Sequence, residues 1–157
     1  MRADVLPPLV CVCASLRRGA RAVTRLYDRA LSGTGLRVPQ LTLLYVLSKQ
    51  PDETLVQGMI AELLAIDRTT LTRTLATMAR RGLIRPRASD DKRERLWSIT
   101  SAGKLRLAKA LPRWENVQQR LRHRIGAERW DFLIDELTHI AAATRWPRVR
   151  KTTVTPL

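Results

Sequence analysis

Two thiols, Cys11 and Cys13, stand near the start of the chain, and a phenol, Tyr27, follows Cys13 after 14 residues. Arg17, Arg18, Arg21 and Arg25 lie between them. A thiol beside cations is a nucleophile or a redox centre, and a row of guanidiniums suits a carboxylate. A cysteine enzyme needs a base near its thiol, yet His123 and His139 both lie more than 100 positions from Cys13. The two histidines fall on separate predicted helices with no zinc-ligand spacing, so neither a metal nor a cofactor is expected. On a helix Cys11 and Cys13 would face about 200° apart, so a disulfide between them requires a non-helical start. Two cysteines cannot staple a secreted domain. No apolar run reaches the roughly 18–20 residues of a spanning helix, so the expected compartment is the cytoplasm, without membrane attachment.

A second group of residues suits a polyanion. Arg68, Thr69, Thr70, Thr72 and Arg73 cluster in six positions, and Arg87, Lys92, Arg93 and Arg95 follow. Arginine forks to guanine edges, and threonine bonds bases or phosphate and offers a methyl group to thymine. Residues 67–106 hold eleven cations against four acids, or +7 of the chain's +15 over 157 residues. Of the 29 cations, 24 are Arg, whose planar fork matches phosphate and base edges better than Lys does. Hydrophobic residues make up 45%, enough for a core, so this charge belongs to a folded domain.

Helical spacing runs through most of the chain, and a single domain over 1–157 is expected. Leu16, Ala20, Val23, Tyr27 and Leu31 recur at steps of three or four, and Gly33 and Gly35 end that helix. Pro39 suits the first turn of a second helix reaching about Ser48. Thr54 and Gln57 have the form of a capping box for a short helix carrying Met59, Ile60 and Leu63. Asp67 caps the next helix, which aligns Leu71, Leu75 and Met78 and stops at Gly82. Two short strands, Leu83–Arg85 and Arg95–Ile99, flank a polar loop and form a wing. Thr100 or Ser101 caps a long helix with Leu107, Leu111, Trp114, Val117, Leu121 and Ile125 on one face and a kink expected at Pro112. After Gly126 a last helix carries Trp130, Leu133, Ile134, Leu137 and Ile140; Pro147 ends it, and 147–157 reads as a tail or arm. The fold class is mainly α with a small β wing.

The run Asp67-Arg68-Thr69-Thr70-Leu71-Thr72-Arg73, then Arg81-Gly82-Leu83-Ile84-Arg85, Asp91-Lys92-Arg93 and Ile99-Thr100-Ser101-Ala102-Gly103 resembles the MarR family of winged helix-turn-helix regulators. The resemblance covers about residues 11–145. It implies a winged helix-turn-helix lobe over about 55–100 and dimerisation helices over about 7–35 and 101–146. It implies a homodimer on a palindromic operator in double-stranded DNA, usually a repressor released by a ligand or by oxidation. It also implies that Arg93 enters the minor groove, where narrow A·T tracts attract Arg, and that Asp91 orients a wing arginine.

The first helix is similar to the organic-hydroperoxide-sensing, OhrR-like branch, with Cys13 at the reactive position and Tyr27 as its hydrogen-bond partner from the other subunit. About 21 Å separate the two along one helix, so they meet only across an antiparallel seam. Arg17 and Val38 stand where that branch has aromatic residues, so half of its cage is missing. The other candidate effector is an aromatic acid, held by Arg17 and Arg21 with Tyr45 and Trp114 as walls. An RNA-binding protein explains the charge but not the wing, and only seven aromatics are present for stacking.

Overall fold

The computed structural model describes residues 10–50, 52, 54–88 and 94–143, in two compact units that divide between Val117 and Gln118. The first unit holds α1 (Val12–Ala30), α2 (Val38–Lys49), β1 (Thr54–Val56), α3 (Gln57–Leu64), α4 (Arg68–Arg80), β2 (Ile84–Arg87), β3 (Leu96–Ile99) and the start of α5 (Ser101–Ile125). The second holds the end of α5 and α6 (Ala127–Ala143). Among the described residues no helix is long and apolar enough to cross a membrane. The expected tail and the wing loop at Asp91, Lys92 and Arg93 lie outside the described residues.

The core of the first unit forms around α2. Leu41, Leu43, Leu44 and Leu47 are all buried, on more than one side of that helix, as a helix surrounded by others requires. Pro39 sits in its first turn, and Asp28 of α1 accepts from the Val38 N–H at 3.1 Å. Around α2 gather Leu31, Leu36, Leu55, Ile60, Leu71, Leu75, Met78, Leu83, Ile84, Ile99, Leu107 and Ala110.

The stretch before α3 departs from expectation. Thr54 and Gln57 form no capping box: Thr54–Val56 is a strand, and the N-cap of α3 is Val56. The wing is thus a three-stranded antiparallel sheet in the order β1-β3-β2, with Thr54 opposite Ser98 and Leu55 opposite Trp97. The backbone groups that a cap would have served bond instead to β3, where the Arg95 carbonyl accepts from the Gln57 N–H at 2.8 Å. Gln57 Oε1 accepts from the Trp97 indole N–H at 3.3 Å. Pro86 is accommodated because β2 is an edge strand.

Asp67 caps α4 as expected. Its Oδ1 accepts from the Thr70 N–H at 2.9 Å and its Oδ2 from the Thr70 hydroxyl at 2.6 Å. Those two bonds, the hydroxyl's first, hold the Asp67 carboxyl below the usual carboxylate range. Gly82 follows α4 with φ +67°, the left-handed conformation that ends a helix most readily in glycine.

The start of α5 is locked to the end of α4 and the start of β2. The Thr100 hydroxyl donates to the Gly82 carbonyl at 2.6 Å and accepts from the Gly103 N–H at 3.0 Å. The Thr100 N–H donates to the Leu83 carbonyl at 3.1 Å. A Cβ on Gly103 would lie 2.1 Å from the Leu83 carbonyl oxygen and 2.8 Å from Ile99 Cγ1. The spacing of Thr and Gly at this helix start is therefore a contact requirement.

Elsewhere the apolar stripes lie open. On α1 only Tyr27 is buried, with Val23 at 43% exposure, and α6 has no buried residue, with Phe132 at 66%.

Two outcomes follow. Gly103→Ala forces the Leu83 backbone away from α5 and lowers unfolding stability by about 3 kcal/mol in urea melts; an unchanged midpoint would show that the junction is loose. Asp67→Asn lowers the melting temperature at neutral pH. Because the native Asp67 pKa is lowered, its contribution is full above the unfolded carboxylate's pKa and is lost as pH falls through the native value. The gap between Asp67→Asn and the parent therefore closes in acid; a gap independent of pH rules this out.

Candidate nucleic-acid interface

The face of α4 opposite the core is polar. Leu71 and Leu75 are 1% exposed and Met78 is fully buried, which turns Arg68, Thr69, Thr72 and Arg73 outward, all of them exposed. Arg68 and Arg73 make no side-chain hydrogen bond or ion pair among the described residues. Both guanidinium forks are therefore available near the N-terminal end of the helix, the end that reaches base edges in helix-turn-helix docking.

The threonines divide by partner. The Thr70 hydroxyl donates to Asp67, and the Thr72 hydroxyl donates to the Arg68 carbonyl at 2.8 Å. Both have their hydroxyl protons committed within the chain. The Thr69 hydroxyl has no such partner among the described residues. Of the three it is the one free to donate to a base or a phosphate.

On the wing, Arg87 lies at the end of edge strand β2 opposite Leu96, and Arg95 stands just before β3; both are exposed. Arg85, opposite Ser98, is exposed as well. These side chains place three cations along the described part of the wing.

Some of the counted charge turns inward. Arg81 donates from Nη2 to the Gly35 carbonyl at 2.6 Å, and Arg106 donates from Nη1 to the Thr34 carbonyl at 2.9 Å. Both belong to the eleven cations of residues 67–106. The one local signal of their partner is the pair Gly33 and Gly35, which marks a turn and has φ +80° and +73°.

The candidate sensor residues fall into separate places. Cys11 and Cys13 are both exposed. Arg17 Nη2 lies 3.9 Å from Cys13 Sγ. Cys11 is the N-cap of α1, with extended φ −83° and ψ 114°, so it lies outside the helix and the helical separation of the two thiols does not apply. Tyr27 is buried at the far end of the same helix, and desolvation pushes its phenol pKa up.

Arg17 and Arg21 line an open depression of about 320 Å³ with Ala14, Arg18 and Arg25, all from α1. Tyr45 and Trp114 do not line it. They stack on each other, with centroids 6.3 Å apart at 27°, and Lys49 Nζ lies 5.5 Å from the Tyr45 centroid. Within one chain, then, the four proposed pocket residues form two groups.

Residues 34–94 match the model of the MarR family. No curated protein sequence matches the chain. Among solved structures, the transcriptional regulator MosR of M. tuberculosis in complex with DNA is 36% identical over 87% of this chain and 99% of its own, with a TM-score of 0.74. The repressor CouR bound to a 23-mer DNA duplex is 26% identical, covering 83% of this chain and 92% of its own, also at 0.74. PcaV of Streptomyces coelicolor, 23% identical with 85% and 94% covered and a TM-score of 0.74, shares the fold. The helix-turn-helix with its outward arginines, the three-stranded wing and these likenesses together establish that the chain belongs to the MarR family of winged-helix transcriptional regulators.

Proposed function

We propose that two copies of this chain act as a sequence-specific repressor on a palindromic duplex. Each α4 enters the major groove of one half-site, and each wing presents Arg87, Lys92, Arg93 and Arg95 to the backbone and the adjacent minor groove, with Asp91 orienting one of these arginines. The observation that carries this reading is the exposed set Arg68, Thr69 and Arg73, without side-chain partners among the described residues, on a helix whose opposite face buries Leu71, Leu75 and Met78. The DNA complexes of MosR and CouR support it. The open apolar stripes of α1 and α6 support self-association, since apolar faces of this kind mark protein contacts. A pair of copies carries +30, twice +15, which draws duplex DNA at long range.

The released state is assigned to cysteine oxidation. Cys13 is exposed, with the Arg17 guanidinium 3.9 Å from its sulfur, so the sulfur is open to an organic hydroperoxide. The thiolate attacks one oxygen of an organic hydroperoxide, the O–O bond breaks, and the alkoxide leaves as the alcohol after taking up a proton. The sulfur is left as a sulfenic acid, with Cys11 two residues away and Tyr27 of a second copy as candidate partners.

In anisotropy titrations on a duplex selected from a randomised pool, Arg68→Ala and Arg73→Ala each weaken binding by about 1–3 kcal/mol and relax the preference at one position of each half-site. Arg93→Ala weakens it by a similar amount while the dimer persists in size-exclusion. Equal affinity of these variants for the selected duplex sinks the assignment, and preference for structured RNA favours the RNA-binding alternative. Cumene hydroperoxide releases the parent and the Cys11→Ser variant from the duplex but not Cys13→Ser. If binding survives peroxide, oxidation is not the signal. A carboxylate-bearing aromatic effector, on Arg17 and Arg21 with Tyr45 and Trp114, is then the reading to test.

A further inference from the structure

Three arginines converge on the turn between α1 and α2. Arg81, the C-cap of α4, donates to the Gly35 carbonyl at 2.6 Å, Arg106 of α5 donates to the Thr34 carbonyl at 2.9 Å, and Arg113 of α5 donates to the Ser32 carbonyl. The turn is shaped to receive them. Gly33 and Gly35 have φ +80° and +73°, and a Cβ on Gly35 would lie 3.0 Å from Arg81 Nη2 and 3.3 Å from Arg106 Nη1. Thr34 is buried, and its hydroxyl donates to the Leu31 carbonyl at 2.7 Å while accepting from the Leu36 N–H at 3.2 Å. The turn is therefore held from within. It also follows the C-terminal end of α1, where the helix dipole favours cations.

Arg81 differs from the other two because it belongs to the recognition helix. It lies 13 residues after Arg68, about 20 Å along the helix axis from the end that reaches bases. Its bond spans 46 positions of sequence and ties the far end of α4 to the end of α1.

Resting on the DNA-binding reading above, we propose that Arg81 is a positioning residue for DNA recognition. It fixes the angle at which α4 meets the duplex by gripping the Gly35 carbonyl, and it does not contact phosphate. A guanidinium on a neutral carbonyl is a charge-assisted bond, and Arg106 and Arg113, which hold the neighbouring carbonyls, reach the turn from α5 and not from α4. Losing it removes the tie between this turn and an end of α4 that Thr100 holds from the other side, and the other end must match base edges closely.

The test uses the full-length protein and the duplex that the parent selects from a randomised pool, with an unrelated duplex alongside, titrated over a range of salt. Arg81→Ala is expected to weaken the selected duplex about tenfold. It leaves the slope of log affinity against log salt unchanged and the unrelated duplex bound as before. Gly35→Ala perturbs the same joint without touching any charge, and the same pattern is expected. The loss in the double variant is smaller than the sum of the two single losses, because both changes break the Arg81 contact while Gly35→Ala also crowds Arg106. Melting curves establish that each variant is folded, and Gly35→Ala carries the test if Arg81→Ala melts too early.

Two results overturn the proposal. One is a salt slope reduced by about one unit in Arg81→Ala with equal loss on both duplexes, which marks a phosphate contact. The other is folded variants that bind within twofold of the parent. A parent that selects no duplex overturns the DNA-binding reading itself, which separates that failure from this one.

Discussion

The DNA-binding head depends on one close approach, that of the Gly103 backbone to the Leu83 carbonyl oxygen. With no side chain at Gly103, α5 begins directly against the first residues after α4. Thr100 then joins three segments at once, through the Gly82 carbonyl, the Leu83 carbonyl and the Gly103 N–H. The end of the recognition helix, the start of the wing and the start of the long helix meet within a few residues. Such a junction leaves little freedom between α4 and the wing. Such rigidity suits a DNA-binding protein, because contacts on separately moving parts would each cost ordering entropy on binding.

Charge follows a division of labour that composition conceals. Arg68 and Arg73 project from α4 without partners among the described residues, and Arg87 and Arg95 are exposed on the wing. Arg81, Arg106 and Arg113 turn inward to carbonyls of a single turn. An arginine bonded to a carbonyl still adds to net charge and to long-range attraction, but one arm of its fork is committed within the chain. A cation count over residues 67–106 therefore includes side chains that are bonded within the chain as well as those without a partner among the described residues.

The helices outside the head pose the opposite problem. α1 and α6 are amphipathic, yet they bury almost nothing within one chain. Amphipathic helices of this kind gain stability from packing more than from propensity. Their open faces are the counterpart of the tightly filled core around α2, and they place the thiols of Cys11 and Cys13 at an exposed helix start.

Local signals determined much of this protein. The 3.6-residue period located α1, α2, α4, α5 and α6, and Asp67, Gly82 and Gly126 marked helix ends because capping and positive φ are properties of a few adjacent residues. The outward set on α4 was legible for the same reason: once Leu71, Leu75 and Met78 face inward, helical geometry assigns the rest. Three features depended on distant residues. β1 arose because β3 offered ladder bonds that a capping box at Thr54 could not match. Arg81 and Arg106 turned to a turn 46 and 72 positions away. The four candidate pocket residues separated into two groups because Arg17 and Arg21 stay on the open face of α1 while Tyr45 of α2 and Trp114 of α5 stack on each other. Sequence carried the local periodicities and caps. Tertiary structure decided which polar groups found partners across the chain, since such bonds depend on distances that exist only once the core has closed.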